Sequence, residues 1–111
     1  MVNVENNVIT ITRGDTFEKH VGVYDDLNDE YTPDVTDRIR FALKSHYGQK
    51  EPLIVKQIDP RYMILRLEAD ETKQLKARTA PYVYDIELRT LNDVYVRTII
   101  SSELYVTEEV L

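Results

Sequence analysis

Between Tyr82 and Arg89 the chain alternates strictly: Tyr82, Tyr84, Ile86 and Leu88 interleave with Val83, Asp85, Glu87 and Arg89. A period of two sends successive side chains to opposite faces of an extended strand and marks one face as buried. Thr90 to Asp93 supply turn residues, after which Val94, Val96, Thr98 and Ile100 resume the alternation. The segment from Tyr82 to Ser101 therefore predicts a long antiparallel hairpin, and with it an all-β domain.

Shorter pieces of the same pattern run through the rest of the chain. Val8–Thr12 reads as a first strand ended by Arg13-Gly14-Asp15, and Thr16–Tyr24 as a second with Phe17, Val21 and Val23 on one face. Asp25–Glu30 is a polar turn, and Pro33 argues against a central strand at its exit. Over Arg38–Ser45, Ile39, Phe41 and Leu43 point inward while Arg38, Arg40 and Lys44 point outward. After a loop over His46–Pro52, Leu53–Ile58 sets Ile54 and Ile58 against Val55, and Asp59-Pro60 turns the chain. Tyr62–Leu67 directs Met63, Leu65 and Leu67 inward. Residues 68–75 break the pattern, and Asp70 is expected to cap a single helical turn over 70–75. Leu104 and Val106 mark a closing strand.

Seven or eight short strands separated by turn signals predict an antiparallel, immunoglobulin-like β-sandwich. With 111 residues, the chain suits one domain over 1–111 that needs no metal or disulfide staple. The fragment Leu-Asn-Asp occurs at 27–29 and again at 91–93, both at expected hairpin turns. It reads as repeated turn chemistry rather than an internal repeat.

Composition removes several function classes. There is no Cys, so neither a thiolate metal site nor a cysteine nucleophile can be built. A net charge of −6 with scattered Arg and Lys argues against a phosphate-backbone partner. No apolar run is long enough to span a membrane, and Met1-Val-Asn-Val-Glu-Asn-Asn lacks the pattern of an export signal. Neither nucleic acid nor membrane is expected as a partner.

Each candidate constellation has a structural reading beside the chemical one. Arg13-Gly14-Asp15 is the tripeptide that integrin-type receptors read, and also a tight turn in which Gly permits positive φ. Asp25, Asp26, Asp29 and Glu30, with Asp34 and Asp37 nearby, could hold calcium, yet they lack the spacing of an EF-hand. His20 and His46 are the only histidines, without the spacing of a zinc site. Ser45, Ser101 and Ser102 sit outside any nucleophile-elbow sequence. Asp85 and Glu87 are paired carboxylates of the kind glycoside hydrolysis uses, and cross-strand pairing with Arg89 and the Arg97 strand explains them more simply. Isolated Gly14, Gly22 and Gly48 build no phosphate loop. These readings yield no catalytic residue, no metal ligand and no cofactor, and the expectation is a protein that is not an enzyme.

Eight Tyr and no Trp suit a thin sandwich, where the ring packs at the core edge and the hydroxyl reaches water. Tyr24, Tyr31, Tyr47 and Tyr62 near the loops also support an alternative reading, a carbohydrate- or receptor-binding β-sandwich module.

The order of segments resembles the small β-sandwich domains of bacteriophage and prophage structural proteins. The residues carrying the resemblance are Ile11-Thr12-Arg13-Gly14-Asp15-Thr16-Phe17, the turn Asp70-Glu-Thr-Lys-Gln-Leu75, the strand Tyr82–Leu88 and the closing Leu104–Val110. Nearly the whole chain is covered, with Ala80-Pro81 standing where such chains usually have Gly. The set is similar to the N-terminal domain of the baseplate upper protein of phages of Gram-positive hosts. It implies a non-enzymatic virion component of tail, baseplate or head, assembled in the bacterial host cytoplasm, whose partners are other phage structural proteins or further copies of itself. For docking by strand addition, the candidate edges are Val8, Ile9, Thr10 and Ile11 together with Leu104, Tyr105 and Val106.

Overall fold

The computed structural model describes residues 3–5, 7–22, 33–90 and 96–108. These form β1 (Asn3–Glu5), β2 (Val8–Thr12), β3 (Phe17–His20), β4 (Arg38–Lys44), β5 (Ile54–Ile58), β6 (Ile64–Leu67), a short helix α1 (Ala69–Lys73), β7 (Tyr82–Arg89) and β8 (Val96–Thr107). A six-stranded sheet takes the order β1-β2-β8-β7-β4-β5, while β3 and β6 pair as a second, smaller sheet. The larger sheet curls into a half-barrel.

The all-β expectation therefore holds, with two corrections. The layers are unequal, six strands against two, with the larger one curled, so the arrangement is not plainly the immunoglobulin-like sandwich expected. Nor is the larger sheet wholly antiparallel: β2 runs parallel to β8, pairing Ile9 with Leu104 and Ile11 with Val106. A period-two pattern is the same for either strand direction, so alternation does not disclose a parallel neighbour.

The inward faces meet in one core. Phe17 from β3 and Leu65 and Leu67 from β6 pack in the same cluster as Ile39, Phe41 and Leu43 of β4 and Tyr84, Ile86 and Leu88 of β7. Each such side chain, fully buried, contributes roughly 1.5–3 kcal/mol. The Phe41 and Tyr84 rings lie tilted, 5.5 Å between centroids, on neighbouring strands at the centre of the sheet. Such pairs add to simple burial.

The second arm of the long hairpin and the closing strand prove to be one twelve-residue strand, β8. Ile86 faces Ile100 but Glu87 faces Thr98, so Ile99 is an extra residue in a bulge. Val96 and Thr98 consequently share the outer face with Arg89 and Glu87, and both are exposed. The alternation across 96–100 is thus interrupted by the one-residue insertion a bulge makes.

Helix α1 is one turn long and starts earlier than expected. Its N-cap is Glu68 rather than Asp70, and the Glu71 side chain reaches back to accept the Glu68 backbone N–H at 2.9 Å. The acid three positions on sets the cap. Asp70 sits inside the first turn, where negative charge is also favourable.

The chain changes sheet four times, and the first and last crossovers are those between β2 and β3 and between β6 and β7. One buried hydroxyl joins these two crossovers. Thr72 of α1, 0 % exposed, accepts the Gly14 N–H at 3.1 Å and donates to the Asp15 carbonyl at 2.7 Å. Gly14 has φ +88°, a conformation that disfavours side chains. Beside it the Arg13 Nε–H donates to the Leu75 carbonyl at 2.8 Å, and the Arg13 backbone N–H extends the β2–β8 ladder to Thr107.

Thr72→Val keeps the shape and strands the Gly14 N–H. Urea unfolding is expected to show a loss of about 1–3 kcal/mol. Thr98→Val on the exposed face is expected to change stability by less than about 0.5 kcal/mol. Equal effects from the two substitutions would contradict the crossover tie.

Candidate interaction surfaces

The strands proposed from sequence as sheet edges are not the edges. Ile9 and Thr10 lie between β1 and β8, Val8 pairs with Glu5 of β1, and Ile11 pairs with Val106. Leu104, Tyr105 and Val106 pair with β2, and Leu104 also faces Tyr82 of β7. The two ends of the chain meet each other, which hydrophobic alternation cannot report. Among the described residues, β1 and β5 bound the larger sheet.

Edge strand β5 is partly guarded. Leu53 and Val55 are exposed, but Lys56 turns inward and its ammonium meets Glu71 of α1 at 2.8 Å. An inward-pointing charge is one way natural edges resist indiscriminate pairing.

The outer face of the β4–β7 ladder is charged in register. Arg38 stands opposite Arg89, Arg40 opposite Glu87 and Ala42 opposite Asp85. Gln57 of β5 flanks Arg40 on the other side. The Arg89 Nε–H donates to the Glu87 carboxylate. Arg97, the cross-strand partner expected for Asp85 and Glu87, faces Leu88 instead, because the Ile99 bulge shifts the register. Arg38, Arg40, Gln57, Glu87 and Arg89 line a hollow of about 250 Å³.

The remaining sequence candidates fall apart spatially or serve the scaffold. Arg13-Gly14-Asp15 is the tied crossover turn, with the Arg13 guanidinium engaged by Leu75. His20 is exposed at the end of β3, and His46 is exposed in the β4–β5 connection. The Ser45 hydroxyl accepts from Arg78, Ser101 faces Asp85, and Ser102 lies opposite Tyr84. No group of three His, Asp or Glu among the described residues is arranged to hold a metal ion. The Asp25–Glu30 loop, Tyr24 and Tyr31 lie outside the described residues. Tyr47 and Tyr62 are 71 % and 63 % exposed but sit at opposite ends of β5. No helix among the described residues is long and apolar enough to cross a membrane.

Two tyrosines have roles that alternation alone does not reveal. The Tyr82 hydroxyl accepts the Lys76 N–H at 2.8 Å, and the Arg78 guanidinium stacks 3.8 Å from the Tyr82 ring while donating to the Ser45 carbonyl. Tyr84 donates to the Asn7 carbonyl. Burial pushes the Tyr84 phenol up to about 12, opposed by a hydrogen bond with Ser102. The available signal was chemical: a buried phenol must find a partner. A cleft of about 330 Å³ opens beside it, lined by Ile9, His20, Leu65 and Ile100 among others.

No protein-family profile matches the chain, and no significant match exists among curated proteins or solved structures.

Tyr84 gives a pH prediction. The unfolded phenol ionises near pH 10. The folded one holds its proton to about 12. Its contribution to stability is fully present below pH 10 and is lost as pH rises through 12. Tyrosinate absorbance should show a late-titrating component that Tyr84→Phe removes. Ionisation of every Tyr near pH 10 in a still-native protein, judged by circular dichroism, would contradict the assignment.

Proposed function

We propose that this protein is a non-enzymatic virion structural or assembly component of a bacteriophage or prophage, acting through protein–protein contacts. One structural observation favours this reading: several polar side chains of the described residues are spent on bracing the scaffold. Arg13, Thr72, Arg78 and Tyr82 all bond backbone groups at crossovers and turns. What faces outward from the larger sheet is a ladder of charges across β4 and β7. A braced sheet with a charged face suits docking to other virion proteins or to further copies of the chain. The ordered motifs from Ile11 to Val110 support the phage assignment independently. Assembly would take place in the bacterial host cytoplasm.

The finer architecture belongs to the same proposal. An immunoglobulin-like connectivity is supported by the run β2-β8-β7-β4-β5 facing the pair β3-β6. The short helix that bridges β6 to β7 fits it as well. So does a tyrosine at the start of β7 bonded six residues back, as in the tyrosine corner of such folds.

Particles purified from an induced culture of the source bacterium test the role. The chain should co-band with them on a density gradient. Recovery only from the soluble fraction, with particles free of it, would contradict a virion component.

A further inference from the structure

We propose that the cleft between the two sheets beside Tyr84 binds a small carboxylate with an apolar tail, its charged head held by Lys19. The inference goes beyond the virion role and does not depend on it.

Register places the cation. Lys19 stands opposite Leu65 of β6, and Phe17 stands opposite Leu67. Residues directly opposite in an antiparallel pair share a face. Phe17, Leu65 and Leu67 are all buried, so the face that Lys19 shares with them is the inward one. Its neighbours Glu18 and His20 are exposed on the other side.

A charge on an inward face ordinarily has a counter-charge. Lys56, the inward lysine of β5, meets Glu71 at 2.8 Å. Arg66, even on the exposed face of β6, is held by Glu18 and Glu68. Lys19, half-buried, differs from both: its ammonium has neither an ion pair nor a hydrogen bond among the described residues. Glu18 beside it is turned away to Arg66.

The space in front of Lys19 is apolar. Leu65 from the smaller sheet and Ile9, Ile86 and Ile100 from the larger one line the cleft, and no carboxylate is among its described lining residues. The Tyr84 hydroxyl also reaches it but is already engaged by the Asn7 carbonyl. Lys19 is therefore the anchor left for an anion, and the isoleucine and leucine walls suit a hydrocarbon. One ammonium balances one negative charge, which a carboxylate carries. A volume of about 330 Å³ lies at the small end of ligand sites. It holds roughly ten water-sized groups, the number of heavy atoms in an eight-carbon acid.

The test titrates the full chain with octanoate, below the concentration at which it forms micelles, and follows the amide NMR spectrum. Saturable shifts should concentrate at Lys19, Leu65, Ile86 and Ile100. Octanol, which has the same tail without the charge, should bind about tenfold more weakly, the scale of a lost charge-assisted hydrogen bond. Octylammonium should not bind. Lys19→Met keeps the stem and removes the charge, and should bring octanoate down to the affinity of octanol. Lys44→Met on the outer face of β4 should leave octanoate binding unchanged. Circular dichroism checks the fold of each variant, and the comparison of octanoate with octanol on the unaltered chain stands whether or not Lys19→Met folds. If Lys19 merely lays its stem along the core edge with its head in water, the two ligands bind alike or not at all. Either of those results, shifts outside the cleft, or full octanoate affinity in Lys19→Met overturns the proposal.

Discussion

A single buried hydroxyl ties together two of the crossovers between the sheets of this protein. Thr72 bonds both sides of the Gly14 turn, where β2 gives way to β3, from a helix that itself carries the chain from β6 back to β7. Hydrophobic burial supplies most of the driving force, but it is non-directional. Two inward faces rich in Ile, Leu and Phe could slide over each other with modest loss. A satisfied buried hydrogen bond between crossovers cannot slide, because separating its partners leaves dry polar groups unpaired. The Arg13–Leu75 and Tyr82–Lys76 bonds brace the same region from either side.

Fixing the crossovers also fixes the surface. With β2 closed onto β8 and β8 onto β7, the centre of the larger sheet is paired on both sides. Its outer face then becomes a ruled grid in which strand spacing and residue rise set where each charge stands. The row Gln57–Arg40–Glu87–Thr98 and the pair Arg38–Arg89 follow from that registration.

Sequence reasoning reached the strands and faces and stopped at their order. Phe17, Ile39, Phe41, Leu65, Leu67, Tyr84, Ile86 and Leu88 are buried as alternation requires, because period two reports one face of one strand directly. It is silent on neighbours, so Val8–Ile11 and Leu104–Val106 looked like edges when they pair with each other. The Ile99 bulge was hidden for a related reason: an extra residue is visible only against the strand opposite. Arg13-Gly14-Asp15 was legible as a turn from its glycine, while the bond from Thr72, 58 residues away, had no local signature. The arginine-lined hollow was half legible. Arg38 and Arg40 point outward on one strand by period, but their meeting with Arg89 required the register of β4 on β7.

Hydrogen exchange at the Gly14 amide tests the crossover tie most directly. Bonded to a fully buried hydroxyl, that amide should exchange as slowly as the amides of Ile86 and Leu104 in the central strands, opening only with global unfolding. Exchange at the rate of an unprotected loop, with Ile86 and Leu104 still protected, would show that the turn opens on its own and that Thr72 does not tie the two crossovers together.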